Sequence, residues 1–300
     1  FHPMNTKQNL PESELRGKTA EGFGCRLCPR QCGTDRSSAR GFCGETNKVK
    51  VSWAALHFGE EPCISGTNGS GAIFFSGCPM HCVFCQNYTI SGGSCKLAGY
   101  AKASEVSPEK LREIYFDLIK QGAHNINLVT PTHYTDSIIK SLQGGLPVPV
   151  IWNTSGYERI ETLKRLEGLV QIYLPDFKYS SSLLAEEYSH APDYPEKAES
   201  AVLEMIRQTG GYKLDKNGLL KSGVIIRHLV LPGAGRNTRG VIDRVAMLPN
   251  DSIIFSLMSQ YTPIPGIKKA HPELSRPITA AEYSNAVEYA ESAGIKNLFI

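Results

Sequence analysis

No stretch of the 300-residue sequence stays apolar for the ~20 residues that a bilayer-spanning helix needs. A membrane-embedded helix is therefore not expected. The chain opens without a basic segment followed by an apolar one, so a cytoplasmic location is the expectation. Phe1, His2 and Pro3 ahead of Met4 read as the remnant of an expression tag. Charge of one sign is also scarce in excess: 32 Lys and Arg against 29 Asp and Glu leave +3. That is too little to argue for nucleic acid or an anionic membrane as partner. The Gly66, Gly69 and Gly71 stretch lacks a following Gly-Lys-Ser/Thr, which excludes a P-loop and leaves a flexible loop. No Ser/His/Asp or paired-carboxylate arrangement can be picked out. With 41% hydrophobic and 20% charged residues the composition is globular, which excludes a disordered chain.

What the sequence does hold is nine cysteines in an uneven layout. Cys25, Cys28, Cys32 and Cys43 form one group and Cys78, Cys82 and Cys85 another, while Cys63 and Cys95 stand alone as ordinary thiols. Tight groups in a chain without a secretion pattern point to metal rather than to disulfides.

From residue 70 onward short apolar runs alternate with helical patterns. The runs are 72–77, 125–130, 148–153, 170–175, 224–231 and 252–258. Near-continuous Val, Ile, Leu and Phe predicts strands of a parallel sheet buried on both faces. Ser107 and Pro108 open a helix that Gly122 closes, and a helical pattern runs from Tyr157 to Gly168. Thr279 and Glu282 form a capping-box pattern for a last helix ending at Gly294. Six such units predict a (β/α)6 α/β architecture, either an open barrel or a doubly wound sheet. Residues 1–21 read as tag remnant and flexible N-terminus, and 22–69 as a small Cys-rich appendage with a strand-like segment at 48–58. Residues 70–300 form the core.

Cys78-x3-Cys82-x2-Cys85 follows the first core strand, where parallel α/β proteins place their chemistry. Three thiolates leave one iron of a 4Fe–4S cluster without a protein ligand, open to a substrate or cofactor. The four N-terminal cysteines instead suffice to close one centre, either zinc or an auxiliary 4Fe–4S cluster. Arg26, Arg30, Arg36 and Arg40 are expected to compensate its thiolate charge.

With Gly77 before it and Phe84 inside it, the C-x3-C-x2-C motif resembles that of the radical S-adenosylmethionine (SAM) superfamily. The likeness is to its pyruvate formate-lyase activating enzyme-like branch, in the group with an extra N-terminal cysteine motif. This resemblance implies a partial (β/α)6 TIM-like barrel of the radical SAM type. It implies a 4Fe–4S cluster on Cys78, Cys82 and Cys85 and SAM bound at the open iron. It further implies reductive cleavage of SAM to a 5′-deoxyadenosyl radical for hydrogen abstraction. Asn153-Thr154-Ser155-Gly156 resembles the family's polar turn by the ribose and amino end of the cofactor. Phe84, Asn153 and Ser155 are accordingly cofactor-binding candidates. Asp176-Phe177-Lys178 resembles its Asp-x-Lys, and Arg227 its fifth-strand arginine. Where the family carries Gly-Gly-Glu this chain has Thr130-Pro131-Thr132-His133, so Thr130, Thr132 and His133 take second rank.

The implied partners are a glycyl-radical enzyme or another protein substrate, and a low-potential donor such as flavodoxin or ferredoxin. Two other readings stand beside this one. They are a radical SAM enzyme acting on a small molecule or peptide side chain, and a non-catalytic iron–sulfur electron carrier. Met258, Ser259, Gln260 and Tyr261 are expected to line the mouth of the barrel.

Overall fold

A computed structural model describes residues 24–92 and 103–300. The expected tag remnant and Cys95 lie outside the described residues. The strands are β1 (Val49–His57), β2 (Ser70–Phe75), β3 (Ser104–Val106), β4 (Ile126–Val129) and β5 (Val150–Thr154). They continue as β6 (Ile172–Pro175), β7 (Lys213–Leu214), β8 (Leu220–Leu229), β9 (Ile253–Met258) and β10 (Leu298–Phe299). The sheet runs β10-β9-β8-β6-β5-β4-β2-β1-β3, with β7 paired to β8, and its two ends do not meet. The six core strands expected from the apolar runs are β2, β4, β5, β6, β8 and β9, and each pairs parallel with its neighbour. The fold is an α/β partial barrel.

Both edges carry additions. β10 adds a further parallel strand beside β9. β1, from the Cys-rich N-terminal segment, pairs antiparallel with β2 from Val51↔Phe75 to His57↔Ser70. The expected boundary at 69/70 therefore falls within a hydrogen-bonded hairpin of the core sheet. The helix expected from Tyr157 shortens to Ile160–Lys164.

Alternation along the strands separates two faces. Ile73, Phe75, Leu128, Trp152, Tyr173, Ile226 and Phe255 pack outward against the helices in the main core. Ile151, Ile172, Leu174, Ile225 and Ile254 line the other face, where Cys63 and Ile64 of the short helix Pro62–Ser65 pack on them. The short helix thus shares one apolar cluster with residues of β5, β6, β8 and β9. The helices behave as their punctuation predicts. Ser107 caps Pro108–Lys120 by accepting from Lys110 N–H, and Thr279 with Glu282 completes a capping box on Ala280–Ser292. Among the described residues no helix is long and apolar enough to cross a membrane.

Candidate metal and cofactor site

β2 ends at Phe75 and the chain turns through Ser76 and Gly77 into the three-cysteine loop. Gly77 N–H donates to Ile90 O at 2.8 Å and Val83 N–H to Tyr188 O at 2.9 Å, tying both halves of the loop down. Cys85 N–H donates to Cys82 O at 3.1 Å, and Met80 N–H reaches Cys78 Sγ at 3.4 Å. Ser189 Oγ donates to Cys82 Sγ at 3.1 Å. Burial and the neighbouring thiols together push Cys78 up to about 12 and Cys85 up to about 11. Thiols this buried become thiolates when a metal centre supplies the balancing charge, so the donor set fits an iron–sulfur cluster.

Facing the loop is the mouth of the sheet. Lys178 Nζ pairs with Asp176 Oδ2 at 2.5 Å, and its field reaches Cys82 and Cys85. Burial alone would lower the Lys178 ammonium, but Asp176 outweighs it and holds the group protonated. The turn after β5 lies against the same residues. Gly156 has a φ of 78°, and a Cβ there would stand 2.2 Å from Asp176 O. Only glycine lets the Asn153–Gly156 turn approach β6 so closely. Tyr194 joins the pieces. Its hydroxyl lies 2.8 Å from Ser155 O and 2.9 Å from Asp176 O, and accepts from Lys178 N–H at 2.9 Å. Asn237 and His228 hold the next residues, Asn237 by donating to Lys178 O at 2.9 Å and His228 Nδ1 at 2.7 Å from Phe177 O.

The fold therefore brings Asn153, Ser155, Asp176 and Lys178 to one end of the strands, opposite Cys78, Cys82 and Cys85. Phe84 is buried among Tyr179 and Tyr188 in edge-on contacts. Thr130 follows β4 with a φ of 59°, a strained conformation for a β-branched residue, and donates its N–H to Asn153 O at 2.9 Å.

Thr132 and His133 sit elsewhere. Thr132 Oγ1 donates to the buried Glu158, which also accepts from Thr154 Oγ1 and Trp152 Nε1. His133 Nε2 lies 2.7 Å from Ser76 O, and burial lowers its imidazole to about 3. Thr132 is thus committed to the Glu158 cluster, while His133 lies against the turn that leads into the three-cysteine loop. Arg227 is committed to Glu60 and Glu61. Of the residues expected at the mouth, Ser259 and Gln260 are exposed, but Tyr261 is buried and donates to Leu274 O at 2.6 Å. That corrects the expectation for Tyr261.

The N-terminal cysteines pack directly beneath the three-cysteine loop. Cys25 N–H donates to Thr34 O at 2.8 Å and Gly33 N–H returns to Cys25 O at 3.1 Å, folding the segment back on itself. Burial pushes the Cys28 thiol up to about 12 and raises Cys43, with Cys25 adding to both. At Cys32 the upward push of burial is outweighed by hydrogen bonds from Phe42 and Thr34, and the thiol is lowered.

The arginines divide their work. Arg36 is buried, lies 3.9 Å from Cys25 Sγ, and draws Cys43 down against its burial. Arg30 instead staples the two cysteine segments together. It donates to Pro79 O at 2.9 Å and to Ser189 O at 2.6 Å while stacking 4.3 Å over Phe42. Arg40 donates to Gly44 O at 3.4 Å. Tyr194 and Ser189 escaped the sequence reading, and Arg30 was read only as charge compensation, because their partners are backbone or sulfur atoms distant in the chain.

No protein-family model matches the chain. An uncharacterized protein of Methanocaldococcus jannaschii is 29% identical over 282 residues, covering 92% of this chain and 76% of that one. Two solved structures have the same fold. A radical SAM methyltransferase from Sphaerobacter thermophilus gives a TM-score of 0.52 at 13% identity, covering 76% of this chain and 65% of the other. Streptococcus suis SuiB bound to its precursor peptide SuiA gives 0.51 at 13% identity, covering 74% and 46%. This chain thus spans less than two thirds of either structure. The architecture is the partial barrel found in radical SAM enzymes.

Proposed function

We propose that the chain is a radical SAM enzyme that binds a 4Fe–4S cluster through Cys78, Cys82 and Cys85 and SAM beside it. Such a cluster, when bound, supplies the electron that cleaves SAM to methionine and a 5′-deoxyadenosyl radical. The observation that carries this reading is the convergence of two distant elements on the three-cysteine loop. Lys178, ion-paired to Asp176, faces the sulfurs, and the Asn153–Gly156 turn is pinned to the same strand end by Tyr194. A pure electron carrier needs neither element. Lys178 offers a fixed positive charge to a carboxylate, and Asn153 and Ser155 offer hydrogen-bonding groups for an amino acid or ribose. The Phe84–Tyr179–Tyr188 cluster excludes water from the sulfur side.

The hydrogen donor in this reading is a polypeptide. The motif resemblance favours the glycine of a glycyl-radical enzyme, while the shared fold with peptide-bound SuiB supports a peptide side chain as the second form. The second metal centre belongs to Cys25, Cys28, Cys32 and Cys43, whose four thiolates close it to substrate.

Electron paramagnetic resonance of the anaerobically reconstituted, reduced protein tests the cofactor reading. The cluster signal changes on adding SAM if SAM ligates the open iron. An unchanged signal at saturating SAM contradicts it. Candidate glycyl-radical partners carrying α-deuterated glycine then test the substrate. Deuterium appearing in 5′-deoxyadenosine supports the glycine, and deuterium acquired only from a labelled peptide side chain supports the second form.

A further inference from the structure

The hollow face of the sheet carries a charge imbalance that binding SAM does not require. Glu60 and Glu61, at the entrance to the helix Pro62–Ser65, both turn onto Arg227 of β8. Arg227 Nε donates to Glu61 Oε1 at 2.8 Å, and its Nη2 donates to both carboxylates. The three side chains are only 8%, 7% and 12% exposed. Two carboxylates therefore share one guanidinium in a largely buried setting. Burial would raise Glu61, but Arg227 outweighs it and keeps the group ionised, with Ser256 of β9 adding a hydrogen bond. Asp176 and Lys178, which meet Arg227 at the same strand end, are matched one to one. Cys63, next to Glu61, is neutral, its thiol pushed up to about 11 by burial and by that carboxylate.

A second observation is independent of charge. Asn127 of β4 is fully buried and donates Nδ2 to Glu60 Oε1 at 2.7 Å, while its Oδ1 has no partner among the described residues. Donation to a carboxylate fixes the amide orientation, so the orphaned atom is the carbonyl oxygen, an acceptor. Buried polar atoms are nearly always paired, because an unpaired one has given up its bonds to water for nothing in return. A surplus buried negative charge carries a further penalty. Both defects are removed by one kind of group, a positively charged N–H donor.

We propose that Glu60, Glu61 and Asn127 form a subsite for a cationic nitrogen of the substrate, the ammonium or guanidinium of a lysine or arginine side chain on a polypeptide. Binding needs only this chain's own residues. What becomes of the bound chain rests on the radical SAM reading. Arg227 bridges the two carboxylates and keeps Glu61 when the ligand takes Glu60.

The test uses cluster-loaded protein at saturating SAM, titrated calorimetrically with N-acetyl-lysine methylamide, N-acetyl-arginine methylamide and, as neutral control, N-acetyl-norleucine methylamide. One of the cationic probes is expected to bind, the norleucine probe not, and Glu60→Gln to weaken the cationic probe at least tenfold. The same variant keeps or raises the melting temperature, because the introduced side-chain amide still accepts from Asn127 while Arg227 retains Glu61. No binding of either cation, or binding indifferent to Glu60→Gln, overturns the proposal. So does a fall in melting temperature, which marks a purely structural ion pair. Weakened SAM binding in Glu60→Gln without probe binding also overturns it, since the cation served is then the sulfonium. Failure of the radical SAM reading is separately visible when the probe binds but the same protein, reduced with dithionite and given SAM anaerobically, forms no 5′-deoxyadenosine.

Discussion

The backbone N–H of Cys78 donates to the carbonyl of Cys43 at 3.1 Å. One hydrogen bond thus joins the last cysteine of the N-terminal group to the first cysteine of the loop after β2. Phe42 stacks on His81 at 5.0 Å beside it, and Arg30 spans the same junction. The two cysteine groups are parts of one packed unit, so the geometry of each depends on the other.

Gly77 is where that dependence concentrates. It has a φ of 83°, and a Cβ there would stand 2.7 Å from Cys43 O and 2.6 Å from Glu45 Cγ. Gly77→Ala is expected to destabilise the protein by roughly 3 kcal/mol, from left-handed strain plus overpacking. Calorimetry of the metal-loaded protein checks this, and an unchanged melting temperature would show that the two segments do not need this contact.

Tyr194→Phe removes the hydroxyl that links Ser155, Asp176 and Lys178. It leaves Lys178 N–H without an acceptor, at a cost of about 1–3 kcal/mol. SAM affinity is expected to fall by about tenfold, equivalent to ~1.4 kcal/mol, because the turn and the Asp176–Lys178 pair are no longer held in register. Equilibrium dialysis with labelled SAM measures it. Wild-type affinity with lowered stability would restrict Tyr194 to the core.

His228 is buried, and burial lowers its imidazole from 6.5 to about 4. The folded state holds it neutral, so the unfolded chain binds more protons between those values. Its contribution is complete above pH 6.5 and is lost as the pH falls toward 4, amounting to roughly 3 kcal/mol. Denaturant unfolding at pH 7 and pH 4.5 is expected to show this loss, and His228→Gln to show a shallower pH slope. Equal slopes would assign the acid sensitivity to other groups.

Replacing Cys78, Cys82 and Cys85 together by Ala leaves the four N-terminal cysteines. Such protein, purified anaerobically, is expected to retain about one zinc or about four irons per chain. Elemental analysis finding neither metal would remove the second centre.

The parallel strands were legible because their apolar runs, such as 150–152 and 224–226, are buried on both faces and admit no polar alternation. The three-cysteine loop was legible because its spacing is local, and Asp176 and Lys178 were reached only through the family resemblance. Glu60 and Glu61 were not legible. They carry no spacing signal, and only the fold brings Arg227, 166 positions from Glu61, onto them. Strand β10 was missed because two residues carry no periodicity. The partners of Thr132 and His133, Glu158 and Ser76 O, were not legible because the turn after β4 starts a 3₁₀ helix, Thr132–Tyr134, whose contacts lie far off in the chain.

The most direct measurement is chromatographic quantification of 5′-deoxyadenosine after anaerobic incubation of reduced, reconstituted protein with SAM. Wild-type protein is predicted to form it slowly alone and faster with its substrate. Cys82→Ala is predicted to form none, while retaining the metal of the N-terminal cysteines. Formation of 5′-deoxyadenosine by Cys82→Ala at the wild-type rate would contradict the assignment of Cys78, Cys82 and Cys85 as the catalytic cluster's ligands.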